Sequence, residues 1–169
     1  MYLRSLLSLL VTAVLLAGFA ARAVALDAPT QRPILEISGN ISVSNQGDTA
    51  VFDRAMLEEL GLVTVVTRTP WSDGVSTYEG VSLEVLMEAV GASGTTVTAI
   101  ALNDYVTTIP LSDFAQYGPI LAMRHNGEYM SVRDKGPLFI IYPFDSDPDL
   151  GTQTYFGRSA WQVHKLIVE

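Results

Sequence analysis

The chain has 169 residues, with 10 Lys and Arg against 18 Asp and Glu, a formal net charge of −8. With 49% hydrophobic and 17% charged residues it has the apolar material for the core of one domain and does not read as disordered. The acidity argues against nucleic acid or anionic lipid as a partner, and the lack of cysteine excludes a disulfide framework, a thiolate metal site and a cysteine nucleophile.

Residues 1–25 combine an early cation at Arg4, an apolar run from Leu6 to about Ala21 and the small-residue site Ala23-Val24-Ala25. That is the layout of a secretory signal peptide, with cleavage predicted before Leu26. An uncleaved anchor is the alternative, since the run is only slightly short of the ~18 to 20 residues that span a bilayer. Arg4 and Arg22 both lie in this segment, so residues 26–169 form a single domain of net charge −10. Export of an acidic, cysteine-free domain points to a bacterial periplasm.

After a Pro-containing lead-in, Ile34 to Ser38 begins a strand that is predicted to resume as Ile41-Ser42-Val43. Asp48 or Thr49 is predicted to cap a helix placing Phe52, Met56, Leu57 and Leu60 on one face, with Gly61 at its end. Val63 to Thr67 is β-branched throughout and reads as a strand. A loop over residues 70–76 leads to a second amphipathic helix, capped by Ser82, with Leu83, Leu86, Met87 and Val90 on one face and Gly91 at its end.

The second half reads mostly as strands. Thr95 to Leu102 and Tyr105 to Ile109 flank Asn103-Asp104, and Ser112-Asp113-Phe114 opens a helical turn. Leu121 to Arg124 and Tyr129 to Ser131 flank His125-Asn126-Gly127-Glu128, where Asn-Gly supplies the positive φ angles of a tight hairpin. Leu138 to Tyr142 is a buried strand, Asp145 to Thr154 a loop, and Trp161 to Val168 a closing strand that places His164 on an edge or surface position. Strands from distant parts of the chain must meet, so the predicted fold class is α+β, a mixed sheet or open barrel with a few short helices to one side.

The common catalytic signatures GxSxG, GxGxxG, HExxH, CxxC and the P-loop are missing. Two histidines, His125 and His164, are too few and too far apart to define a zinc site. Asp145, Asp147 and Asp149 lack the Gly and terminal Glu of a calcium loop and read as a solvated acidic segment. More informative are polar clusters where strands end, which offer Trp71, Tyr105 and Trp161 for stacking, Asp104 and Asp134 as acceptors, and Arg133, Lys135 and Arg158 as donors. A planar heterocycle needs such groups: aromatic faces, a carboxylate for its ring NH and amine, and a cation for its oxygens. Residue by residue, core packing and exposed ion pairs are the readier account, so the pattern alone leaves a ligand open.

Tyr78-Glu79-Gly80-Val81-Ser82-Leu83, Ala101-Leu102-Asn103-Asp104-Tyr105, Ile109-Pro110-Leu111, Ile120 to Arg124, Arg133-Asp134-Lys135-Gly136-Pro137-Leu138, Ile141-Tyr142-Pro143 and Ser159-Ala160-Trp161-Gln162 appear in this order. Together they resemble the oxidoreductase molybdopterin-binding, sulfite-oxidase-like fold family, and in particular its small, cysteine-free periplasmic members, which implies an α+β fold with a mixed, barrel-like sheet. Catalytic members hold molybdenum through a cysteine; the matching region here, Thr67 to Trp71, has none, and the Thr69 hydroxyl is a poor replacement for a soft thiolate.

The resemblance therefore implies a pterin-binding module without metal, working with a membrane-bound signalling protein such as a sensor of cyclic-di-GMP turnover. The residues implied as pterin ligands are Trp71, Asn103, Asp104, Tyr105, Arg124, Arg133, Asp134, Lys135, Arg158, Ser159 and Trp161. Two alternatives stay open: a molybdopterin-dependent oxidoreductase or its subunit with an atypical metal ligand, and a protein-interaction domain that binds no small molecule.

Overall fold

In the computed structural model, which describes residues 26–169, alternating apolar positions place the first strand. β1 (Leu35–Gly39) buries Leu35 and Ile37 and leaves Glu36 exposed, the period-2 pattern of a half-buried strand. It pairs antiparallel with β2 (Ala50–Phe52), in register Leu35 to Phe52 and Ile37 to Ala50. Its other edge runs parallel to β10 (Val163–Val168), and β10 pairs antiparallel with β5 (Thr96–Ala101), which pairs with β6 (Val106–Pro110). The first sheet thus has the order β2-β1-β10-β5-β6.

The second sheet is antiparallel: β3 (Leu62–Arg68), β4 (Val75–Ser82), β7 (Ile120–His125) and β8 (Glu128–Tyr129) in that order, with β9 (Phe139–Ile141) also pairing with β7. The expected barrel-like body takes the form of two open sheets. They meet where Phe139 bridges Trp161, the Ile140 amide donates to the Ala160 carbonyl at 2.9 Å, and the Val163 amide donates to the Leu138 carbonyl at 2.9 Å. Four short helices, α1 (Arg54–Glu59), α2 (Leu83–Ala89), α3 (Ser112–Tyr117) and α4 (Gln153–Arg158), connect the strands among the described residues. No helix among them is long and apolar enough to cross a membrane. The predicted signal segment lies outside the described residues.

Several local expectations need correction. Residues 41–43 do not resume β1: the chain turns away at Gly39, and the Ser42 and Val43 amides donate to the Val90 carbonyl instead. Phe52 lies in β2 rather than in a helix, because its pairing with Leu35 buries it. Asp53, not Asp48 or Thr49, caps α1 through its bond from the Met56 amide. The segment after Pro70 contains β4, and the loop expected over residues 145–154 contains a 3-10 turn (Pro148–Leu150) followed by the start of α4. β10 is an interior strand, so His164 is not on a sheet edge.

Asp53 has no exposed surface, yet three backbone amides satisfy it: Met56 at 3.0 Å, Thr30 at 2.9 Å and Gln31 at 2.8 Å. These bonds, that from Met56 first, hold its carboxyl below the ordinary range against the opposing effect of burial. Its stabilising contribution is therefore present above the unfolded value of about 3.9 and is lost as pH falls through the depressed folded value. Asp53→Asn is expected to lower stability at neutral pH and to flatten the acid limb of the stability curve below about pH 4. Urea unfolding across pH 2 to 7 measures this, and an unchanged acid limb would contradict it.

Candidate functional site

Three connections converge on Trp71. The first is the β3–β4 loop that carries it. The second is the 3-10 turn Val132–Asp134 between β8 and β9, and the third is the segment from α4 to β10. Trp71 packs against both apolar clusters of the core. Its ring centroid lies 5.5 Å from that of Phe139, 5.9 Å from Trp161, 6.0 Å from Phe156 and 6.1 Å from Phe144, mostly edge to face. It also forms a wall of two cavities.

The first cavity, about 240 Å³, is lined by Trp71, Asn103, Tyr105, Phe156, Ser159 and Trp161 with neighbouring backbone. The β5–β6 turn shapes one side. Asp104 adopts a left-handed φ of 64°, the Asn103 side-chain oxygen accepts from the Tyr105 amide at 3.2 Å, and the Tyr105 hydroxyl donates to the Gly157 carbonyl at 2.8 Å. Ser159 Oγ donates to the Tyr155 carbonyl at 3.0 Å. This space is aromatic and lacks a carboxylate in its lining.

The second cavity, about 260 Å³, combines Trp71, Tyr78 and Phe139 with Ser72, His125, Arg133, Asp134 and Lys135. The turn that delivers its charges is self-bonded: the Ser131 carbonyl accepts from the amides of Asp134 at 2.9 Å and Gly136 at 2.7 Å, and Ser131 Oγ donates to Asp134 Oδ2 at 2.6 Å. Lys135 takes a left-handed φ of 72°, and Gln162 ties the turn to β10 by donating to the carbonyls of Lys135 and Val132. A carboxylate accepts up to about four bonds, so Asp134 retains capacity for another donor.

His125 faces this second cavity. Its ring stacks on Tyr78, its cross-strand partner, with centroids 4.8 Å apart and planes 13° from parallel. Its Nε2 is buried and has no hydrogen-bond partner among the described residues. Burial, and then the charge of Lys135, pulls its pKa below the ordinary value, so the imidazole is neutral at neutral pH.

Three predicted ligands lie elsewhere. Arg124 is consumed by Glu79 and Glu58, each at 3.2 Å, and by the Tyr129 hydroxyl at 2.6 Å. Arg158 donates to the buried carboxylate of Asp113 at 2.8 Å, because that carboxylate needs a cation where it sits. Asp104 is exposed at its turn and lines neither cavity. Conversely, Tyr78, His125, Phe139 and Phe156 line the cavities without having been singled out as ligands. Asp145, in the acidic loop, accepts from the Arg68 backbone at 2.9 Å and from its Nε at 3.2 Å, and Asp147 caps the following 3-10 turn.

Thr69 is buried and shares a hydrogen bond of 2.8 Å with Ser72 Oγ, which in turn lies 3.2 Å from Ser76 Oγ. The donors here are hard hydroxyls already bonded to one another, which does not fit a soft metal centre. Among the described residues no three His, Asp or Glu side chains gather in a metal-binding group.

No family model and no curated protein matches the sequence. Among solved structures the chain is similar to the sulfane dehydrogenase SoxCD from Paracoccus pantotrophus, at 19% identity with a TM-score of 0.59, over 85% of this chain and 40% of that one. At this identity the likeness shows the fold alone: an α+β architecture with one mixed and one antiparallel sheet and a few short helices.

Proposed function

We propose that the protein is a periplasmic pterin-binding module that works without metal and passes its occupancy to a membrane-bound signalling protein, such as a sensor enzyme of cyclic-di-GMP turnover. The observation that carries this reading is the buried, unpartnered Nε2 of His125 in a cavity that also presents Asp134, Lys135 and the Trp71 indole. A buried polar atom left without a partner costs about 1–3 kcal/mol, which a polar ligand relieves. The volume lies just below the roughly 300–1000 Å³ of drug-sized pockets, and so suits a bicyclic ring better than a dinucleotide.

In this reading the pterin ring lies against Trp71, its ring NH and amine donate to Asp134, and its oxygen meets Lys135 or Arg133. The neighbouring cavity, with Trp161, Tyr105, Asn103 and Ser159, receives a side chain of the ligand. A protein partner is supported by apolar surface on β3, whose outer edge is unpaired among the described residues and which exposes Leu62, Val63 and Val66. For signalling, the partner must bind the loaded and empty forms with different affinity.

Titration with neopterin and dihydroneopterin, followed by quenching of tryptophan fluorescence, tests the site. Asp134→Ala is expected to weaken binding about tenfold or more, the loss of charge-assisted hydrogen bonds, and Trp161→Ala to weaken it less. Parent-like affinity in both variants would overturn the assignment. A second reading, an oxidoreductase subunit, is favoured only by the shared fold with a dehydrogenase; it requires stoichiometric molybdenum in protein from a host that makes the cofactor.

A further inference from the structure

A further cavity of about 470 Å³, lined in part by Leu102 after β5 and by Val132 and Pro137 between β8 and β9, is not used by the pterin reading. Its lining gathers Arg32, Arg54 and His164 around an apolar floor that includes Ile34, Leu102, Val132 and Pro137. In a chain of net charge −8 the two arginines are a local concentration of positive charge, beside the His164 imidazole. The carboxylate in the lining, Glu36, is engaged by Lys165 at 3.4 Å.

Each of these groups is placed by the fold. The buried Asp53 accepts from the Thr30 and Gln31 amides, which fixes the lead-in just before Arg32, and Arg54 follows Asp53 directly. His164 sits where the β10–β5 register shifts between Val163 and Lys165, an irregularity of the kind that re-aims a side chain.

The charge of Arg54 meets an aromatic face but no carboxylate among the described residues. Its guanidinium lies 4.3 Å from the centroid of the Tyr129 ring, and the Arg124 guanidinium lies 4.4 Å from the same centroid. Arg124 is neutralised by Glu58 and Glu79, whereas Arg54 has no ion pair among the described residues, and its Nε is buried without an acceptor. A half-buried cation with an orphaned donor calls for an anion with free lone pairs.

We infer that this cavity is a second ligand site, for a small organic phosphate monoester. The phosphate would meet Arg54, Arg32 and His164, and the organic part would cover the floor formed by Ile34, Leu102, Val132 and Pro137. A phosphate monoester offers three oxygens and close to two charges to two guanidinium forks and an imidazole; a carboxylate offers two oxygens and one charge. The volume falls within the range of drug-sized pockets, roughly 300–1000 Å³.

Calorimetric titration of the protein with phenyl phosphate, and with benzoate as its carboxylate counterpart, tests the inference. Phenyl phosphate is expected to bind saturably, at least tenfold more tightly than benzoate. Arg54→Gln and Arg32→Gln are each expected to weaken it about tenfold, and Trp71→Phe, in the other site, to leave it unchanged. Arg32 is exposed, so its variant carries the test if Arg54→Gln lowers the melting temperature. Absence of saturation, parent-like affinity in Arg32→Gln, or equal affinity for benzoate would overturn the assignment; loss of binding in Trp71→Phe would move the ligand to the aromatic cavities and overturn it equally.

Discussion

Gly80→Ala is expected to destabilise the protein by about 3 kcal/mol or more, a large share of the roughly 5–15 kcal/mol available to a folded domain. Gly80 is buried on β4, between β3 and β7, where the β4–β7 register shifts after Glu79. A Cβ there would be driven into the Leu121 carbonyl and the Cα of Ala122. Both obstacles are backbone, which cannot rotate away as a flexible side chain would, so β4 and β7 must separate and lose pairing. The same pair of strands stacks Tyr78 on His125, so the second cavity should open with it. Chemical denaturation measures the loss. Gly151→Ala is the control, since the one neighbour of its Cβ is the Pro148 carbonyl at 3.5 Å, and it should stay within about 0.5 kcal/mol of the parent. A Gly80 variant as stable as that control would contradict the packing described.

Arg158→Met is expected to cost about 3–5 kcal/mol, because it strands a buried carboxylate. The Asp113 side chain is 7% exposed and accepts from Arg158 at 2.8 Å and from the Tyr142 hydroxyl at 2.7 Å. Burial, and then Asp113 itself, pushes the Tyr142 phenol far above its ordinary value, so it stays a donor but brings no charge. With Arg158 gone, that single neutral donor remains. Adding Asp113→Asn to Arg158→Met should recover much of the loss, and the double-mutant cycle reads the coupling directly. If Arg158→Met costs under about 1 kcal/mol, Asp113 has another source of compensation. The result also bears on function, since an Arg158 that holds Asp113 is not available to a ligand.

These two residues show what the sequence could and could not disclose. α2 was legible because Ser82 caps it and Leu83, Leu86 and Met87 fall on one buried face. The β7–β8 hairpin was legible because Asn126 and Gly127 take the positive φ angles, 51° and 85°, that its turn requires. β4 was not, because its inward positions include Ser76, Tyr78 and Gly80, and a hydrophobic pattern does not register a strand whose buried face is polar or missing a side chain. Without β4, the contact of Tyr78 with His125 could not be foreseen, and with it went the best-placed unsatisfied atom of the site. α4 escaped for a related reason: Gln153 to Arg158 has only Tyr155 and Phe156 to bury, too few for a helical stripe.

For the site itself, residue type was readable and direction was not. Trp71, Asp134 and Lys135 come together because their turns meet over β9, whereas Arg124 and Arg158 are captured by nearby carboxylates on other elements. Such captures depend on tertiary placement of Glu58, Glu79 and Asp113, which no local spacing encodes.

The proposed function requires that the protein hold a pterin and no metal. Protein purified from a native-like periplasm, denatured and its supernatant analysed by fluorescence and mass spectrometry for pterins, with molybdenum assayed in parallel, tests it most directly. Pterin without molybdenum is the expected result. Molybdenum together with pterin would contradict it in favour of an oxidoreductase, and neither, with no binding of added neopterin or dihydroneopterin, would contradict it in favour of a protein-interaction domain.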